Sequence, residues 1–257
     1  MARASKTPAA RAAATKGPAG RKAAKRPTAR KATKRPTARK ATKRPTARAG
    51  AAKIAQGAVS AVGTIYSVST ALATTGWHPR AIRIESPNRD ARPAGMPVEL
   101  LVLHNISLPP GQFGGPGVEQ LFTNRIDPAE HPFYKEIAGL KVSAHFFLRR
   151  DGKLVQFVSA RERAWHAGVS RWRGREKCND FSIGVEIEGT DTQPYTQRQY
   201  ARLRVLAADL ARAFPGLAGV AGHSEIAPGR KTDPGPFFDW ARFMRESGLP
   251  RKWRALA

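Results

Sequence analysis

The chain holds a single cysteine, Cys178, in 257 residues. No disulfide can form within it, so nothing calls for an oxidising compartment. A cysteine-rich zinc ribbon is excluded as well, and any metal would have to rest on histidines and carboxylates. Acid is missing from the whole N-terminal third, where Glu85 is the first carboxylate. Strongly apolar runs are also lacking. Residues 54–76 (IAQGAVSAVGTIYSVSTALATTG) carry no charge and as a helix would run roughly 34 Å, enough to cross a bilayer. Yet only six of those 23 residues are Ile, Val or Leu, a poor membrane span. The long basic region before it argues against a secretory signal. The stretch reads as a linker or surface helix. Were it to insert, the basic tail would stay cytoplasmic and the rest of the chain would lie outside.

What the first residues do have is positive charge. Residues 1–53 contain 18 of the 45 Lys and Arg, which leaves about +8 of the net +26 for the remainder. KAAKRPTAR at 22–30 is followed by KATKRPTAR at 31–39 and again at 40–48. Nine residues is too short a period for a solenoid unit with its own core. The repeats offer no large apolar side chain to offset the entropy of ordering, and each carries a proline. Residues 1–53 therefore read as a disordered polycation that binds nucleic acid or another polyanion by counterion release. The composition resembles the tails of linker histones and bacterial histone-like proteins and, weakly, an organelle transit peptide.

From residue 77 to 257 the pattern is that of one folded domain. Val98–His104 and Val142–Leu148 read as strands, and Arg149-Arg150-Asp151-Gly152 turns the second into Leu154–Val158. Phe181–Glu188 alternates, with Phe181, Ile183, Val185 and Ile187 on one face and Ser182, Gly184, Glu186 and Glu188 on the other. Thr196 and Gln199 form a capping-box pattern ahead of a helix carrying Tyr200, Leu203, Leu206, Ala207 and Leu210. A short helix over Asp239–Glu246 closes the domain. Strands interleaved with helices imply an α/β fold with a mixed central sheet flanked by helices.

AGHSEIAPGRKTDPGP (221–236) gathers His223, Lys231 and Asp233 in one loop stiffened by Pro228, Pro234 and Pro236. A catalytic zinc wants three protein ligands and one open position. His104, ending an apolar strand before a loop rich in Gly and Pro, is the best-placed third ligand. His145 lies inside a strand and reads as a packed or supporting histidine. His166 could line a pocket, and His78 and His131 precede prolines in unremarkable loops. Glu186 and Glu188 share one strand face, and either could take a proton from an activated water. The pattern does not choose between them. Cys178 reads as a buried small hydrophobe.

LVLHNISLPPGQFGGPG, VSAHFFLRRDG, RAWHAGVS, CNDFSIGVEIEGTD and AGHSEIAPGRKTDPGP follow one another in this order. Together they resemble the AmpD-type N-acetylmuramoyl-L-alanine amidases, over roughly residues 77–245. These share a zinc amidase fold with phage T7-type lysozymes and the peptidoglycan recognition proteins. The resemblance implies Zn²⁺ on His104, His223 and Asp233, Glu186 as general base, and Lys231 stabilising the tetrahedral intermediate. It implies a muropeptide substrate, cut between the lactyl group of 1,6-anhydro-muramic acid and L-alanine during cytoplasmic cell-wall recycling; the sequence does not set the oligomeric state, and a monomer is the default expectation. Asn105, Ala164, Trp165 and His166 fit substrate-contacting positions. Lys141 and Lys177 stand where the family often has arginine for the stem peptide's carboxylates, keeping the charge without the bidentate fork. The basic tail is no part of the family pattern.

Overall fold

The structure is a computed structural model that describes residues 68–254. The basic repeats, and residues 54–67 of the uncharged stretch, lie outside the described residues. The strands in chain order are β1 (Ile82–Arg83), β2 (Arg89–Asp90), β3 (Leu100–Ile106), β4 (Phe146–Leu148), β5 (Leu154–Gln156), β6 (Arg163–Ala164), β7 (Arg171–Trp172), β8 (Arg175–Glu176), β9 (Ser182–Glu188) and β10 (Gly219–Gly222). The helices are α1 (residues 68–75), α2 (Gly117–Phe122), α3 (Pro132–Ile137), α4 (Gln197–Ala213), α5 (His223–Ile226) and α6 (Trp240–Ser247). Six strands form the central sheet in the order β1-β5-β4-β9-β3-β10. Only the β4–β5 pair within it is antiparallel, and β4, β9, β3 and β10 run parallel as neighbours. The mixed α/β sheet expected from the sequence is therefore present.

Parallel strands covered on both faces read as largely apolar runs, and β9 is buried at all seven positions although it carries Ser182, Glu186 and Glu188. Ile183, Val185 and Ile187 pack with Leu101 and Leu103 against Tyr200, Leu203, Leu206 and Leu210 of α4. Truncating one of these leucines to alanine costs about 2–5 kcal/mol. α4 starts where its capping box predicts. The Thr196 hydroxyl accepts from Gln199 N–H, and the Gln199 side chain accepts from Thr196 N–H. Asp239 caps α6 through Arg242 N–H.

Four details differ from the sequence reading. Val68 and Leu72 of α1 are buried in the main core, so the end of the stretch expected to be a linker or surface helix is helical but packs into the folded body. Phe181 packs with Leu100 and Val102 rather than with Ile183. Its ψ of 13° breaks the extended alternation just before the strand begins. The expected strand from Val142 is paired only from Phe146, because Ser143 N–H donates to the Trp165 carbonyl instead of to a ladder partner. β3 runs to Ile106, two residues past His104. No helix among the described residues is long and apolar enough to cross a membrane.

Candidate active site

Three neighbouring parallel strands deliver the site. The register sets His104 of β3 opposite Glu186 of β9. On the other side Gly222 of β10 lies opposite Leu103, so the next residue, His223, arrives beside His104. These are the C-terminal ends of the strands, where a parallel sheet opens a crevice. The 233–234 loop then crosses close above. A Cβ at Gly222 would meet Pro234 Cδ at 2.8 Å, so glycine permits the approach. Ser224 N–H donates to the Asp233 carbonyl at 2.9 Å, and the Tyr195 hydroxyl donates to the Pro234 carbonyl at 2.7 Å. Both ties hold Asp233 over the histidines.

The result is a triangle of three ligand atoms. His104 Nδ1 lies 3.0 Å from His223 Nδ1, and each of these nitrogens lies 3.1 Å from Asp233 Oδ2. Ordinary hydrogen bonding would need a proton on every edge. His223 Nε2 lies 3.1 Å from the Ala167 carbonyl, which can only accept, so the proton of His223 sits there and its Nδ1 presents a lone pair. Lone pairs converging on one point are the mark of a cation site. A tetrahedral zinc with bonds of ~2.0–2.1 Å asks for donors about 3.3 Å apart, and the triangle is close to that size. Burial pushes the His104 imidazole down to about 4, with His223 adding to the effect. Burial opposes ionisation of Asp233, but the imidazoles of His104 and His223 beside it outweigh this and hold the carboxyl well below its usual range. Two imidazoles and one carboxylate are a metal-ready set, and they are the metal-capable cluster found among the described residues.

The two glutamates that the strand pattern left equivalent differ sharply. Glu188 is fully engaged: Gly114 N–H donates to Oε1 at 2.5 Å and Arg150 N–H to Oε2 at 2.8 Å. It ties two loops to the sheet. Glu186 Oε1 lies 4.0 Å from His104 Nδ1, and its buried Oε2 finds no partner among the described residues. Burial raises its carboxyl well above the usual range, and Asp233 adds to this while Lys231 works against it. An unpartnered buried carboxyl with raised proton affinity beside a cation site is suited to moving protons.

A cavity of about 480 Å³ opens over this group, lined by Glu186, His223, Asp233 and Lys231 and walled by Trp165 and Phe133. Asn105 and His166 also line it, and Asn105 Nδ2 donates to Asp191 at 2.8 Å. Ala164 instead lies fully buried in the core behind the cavity. Lys141 is exposed between two residues of the cavity wall, Leu140 and Val142. Lys177 lines a second cavity of about 580 Å³ with Arg230 and Val169. The apolar wall of Ile106, Leu108, Phe133 and Ile137 went unread in the sequence, because in a linear pattern its residues look like ordinary core. Cys178 is buried, and burial pushes its thiol up.

An α/β sheet whose parallel strands end on a histidine–carboxylate cluster beside a free buried glutamate has the layout of a hydrolase. Residues 94–236 match the family model described as N-acetylmuramoyl-L-alanine amidase, and the chain belongs to this family of amidases. Over 169 residues it is 58% identical to the 1,6-anhydro-N-acetylmuramyl-L-alanine amidase AmpD of Escherichia coli (strain K12), covering 65% of this chain and 92% of the relative. A crystal structure of a selenomethionine AmpD derivative matches with a TM-score of 0.66 at 55% identity, over 67% of this chain and 97% of that one. The solution structure of Citrobacter freundii AmpD matches with a TM-score of 0.50 at 56% identity, over 66% and 92% respectively.

Proposed function

We propose that this amidase cleaves the bond between 1,6-anhydro-N-acetylmuramic acid and L-alanine in muropeptides, with Zn²⁺ held by His104, His223 and Asp233. The observation that carries the reading is the triangle of ligand atoms beside the unpartnered Glu186 carboxyl. The substrate is supported by 58% identity to a relative named for that activity. When bound, zinc supplies Lewis-acid polarisation and a nucleophile at neutral pH. Glu186 takes the proton of the attacking water. Its raised proton affinity lets it hold that proton and pass it to the departing amine of L-alanine. Lys231, on the cavity wall, faces the negative charge that develops on the carbonyl oxygen. Asn105, Trp165 and the apolar wall hold the sugar and peptide, and the fixed charges of Lys141 and Lys177 draw the stem peptide's carboxylates.

The test uses the full chain with purified anhydro-muramyl tripeptide. Mass spectrometry should detect free tripeptide, lost on chelation and restored by zinc. Intact substrate in the presence of zinc-loaded protein would leave a binding module instead of an enzyme.

The tail supports a second, separable role. Eighteen Lys and Arg without one acid in residues 1–53 suit nonspecific binding of nucleic acid. Retention of the full chain on DNA should fall steeply as salt rises, and a chain lacking 1–53 should not be retained. Equal retention of both would remove the role.

A further inference from the structure

His104 and His223 each turn one nitrogen toward Asp233 and the other away. The two outward nitrogens meet consecutive residues. His223 Nε2 lies 3.1 Å from the Ala167 carbonyl, and His104 Nε2 lies 2.9 Å from Nδ1 of His166. The carbonyl fixes the tautomer of His223, since Arg230 Nη2, 3.4 Å from the same nitrogen, gives its two protons to the Ala167 and Val169 carbonyls at 2.7 Å. His166 can be donor or acceptor at Nδ1, and its far side decides which. The Ser182 hydroxyl lies 2.5 Å from the Cys178 carbonyl and 3.2 Å from His166 Nε2. A carbonyl accepts only, so Ser182 donates its one proton there. Its oxygen is then left to accept from His166 Nε2–H, which makes His166 Nδ1 an acceptor. His104 must therefore donate from Nε2, leaving its Nδ1 lone pair facing Asp233 and His223. Two backbone carbonyls, of Ala167 and Cys178, set the direction of these bonds.

The pair is firmly seated. Asn179 Oδ1 accepts from His166 N–H at 3.1 Å and from Ala167 N–H at 2.8 Å. Gly184 of β9 floors the ring, since a Cβ there would come within 2.4 Å of His166 Cγ. His166, Asn179 and Ser182 are all buried. Both nitrogens of His166 are used, so although its ring lines the cavity it has no polar atom left for a ligand.

We propose that His166 and Ala167 are a positioning pair that sets the tautomer and ring angle of both imidazoles of the metal centre, with Ser182 fixing His166. Partners that take the outer N–H of a ligating histidine raise its basicity and fix its orientation, and their loss weakens metal binding by ~10–100-fold. The inference rests on the zinc reading above.

The experiment is Zn²⁺ competition between the full chain and a chromophoric chelator, with thermal melts of the metal-free proteins as a folding control. H166A should bind zinc ~10–100-fold more weakly, and H166N, whose amide oxygen can accept near the position of Nδ1, should recover much of the loss. G184A should weaken zinc through the displaced ring. Nitrogen-15 spectra of histidine-labelled, zinc-loaded protein should show His166 protonated at Nε2. Should H166A fail to fold, S182A carries the test, with weaker zinc binding and loss of the single His166 tautomer expected. Wild-type zinc affinity in H166A, or in S182A, or a proton on Nδ1 of His166, would overturn the proposal. Wild-type protein that takes up no zinc would overturn the metal reading beneath it, a result distinct from variants that bind as tightly as wild type.

Discussion

Two histidine–carboxylate groups among the described residues do different work. On the α4 side, His78 Nε2 lies 3.3 Å from Asp209 Oδ2, and both residues are buried. Arg80 N–H donates to His78 Nδ1, so the Nε2 proton goes to Asp209 and every polar atom of the ring is used once. His78 N–H is taken by Gln156. At the strand ends, His104 and His223 spend their protons outward and present bare nitrogens to a third acceptor, Asp233. Residue types are alike in the two places and the histidines are buried in both, although Asp233 is only part-buried. What separates them is whether the protons suffice. A set that closes its own hydrogen bonds is structural, and one that leaves acceptors facing each other needs a cation.

The largest effect that could break this contrast is at the triangle itself. H104A should drop zinc content to background and abolish tripeptide release, as metal analysis and mass spectrometry would show; retained zinc would mean that the triangle is not the site. Next comes E186Q. Loss of general acid–base help should lower kcat by ~10²–10⁴-fold. The same change should raise the stability of the metal-free protein at neutral pH, because it replaces an unpartnered buried carboxyl with a neutral amide. Urea midpoints would report it, and a less stable E186Q would show that the carboxyl is partnered after all.

The acid limb gives a smaller, graded effect. Burial, with Arg92 nearby, pushes His145 down to about 3, and His104 is held at about 4. Unfolded, both take up protons below ~6.5. The unfolded chain therefore binds more protons between about 6.5 and 4, and stability falls as pH falls through that window. Each histidine contributes about 1.4 kcal/mol per pH unit there. Glu186, raised in the fold, works in the opposite direction, so the slope is cleanest in metal-free E186Q. A flat urea midpoint between pH 6.5 and 4 would contradict buried neutral histidines. The smallest effect should come from H78A, which should cost about 1–3 kcal/mol of stability by leaving Asp209 short of a partner. Zinc affinity and kcat should stay unchanged, and a shift in either would erase the distinction between the two groups.

Much of this was legible in the chain before folding. The alternation through Ile183, Val185 and Ile187 marks β9, and the Thr196–Gln199 box marks the start of α4, because both signals are local and repeat with the period of the element. Motif order carried the family resemblance. The limits fell where packing overrides pattern. Phe181 continues the alternation in sequence, yet it leaves the face once ψ departs from the extended range. His78 precedes a proline in a plain loop, and nothing near it announces Asp209, 131 residues away.

By itself, then, the sequence determined the α/β class, the capped helix, the cationic character of residues 1–53 and the residue types available for the chemistry. These depend on composition and on neighbours a few positions apart. Only the tertiary structure decided which glutamate is free and which is tied down, and which histidines converge. Glu186 and Glu188 occupy equivalent strand positions. They differ because backbone N–H groups from Gly114 and Arg150 reach one and not the other. The direction of the bond between His104 and His166, 62 residues apart, was likewise decided by Ser182 and the Cys178 carbonyl beyond it, since hydrogen bonding in a buried site is settled by the whole set of donors and acceptors that folding brings within reach.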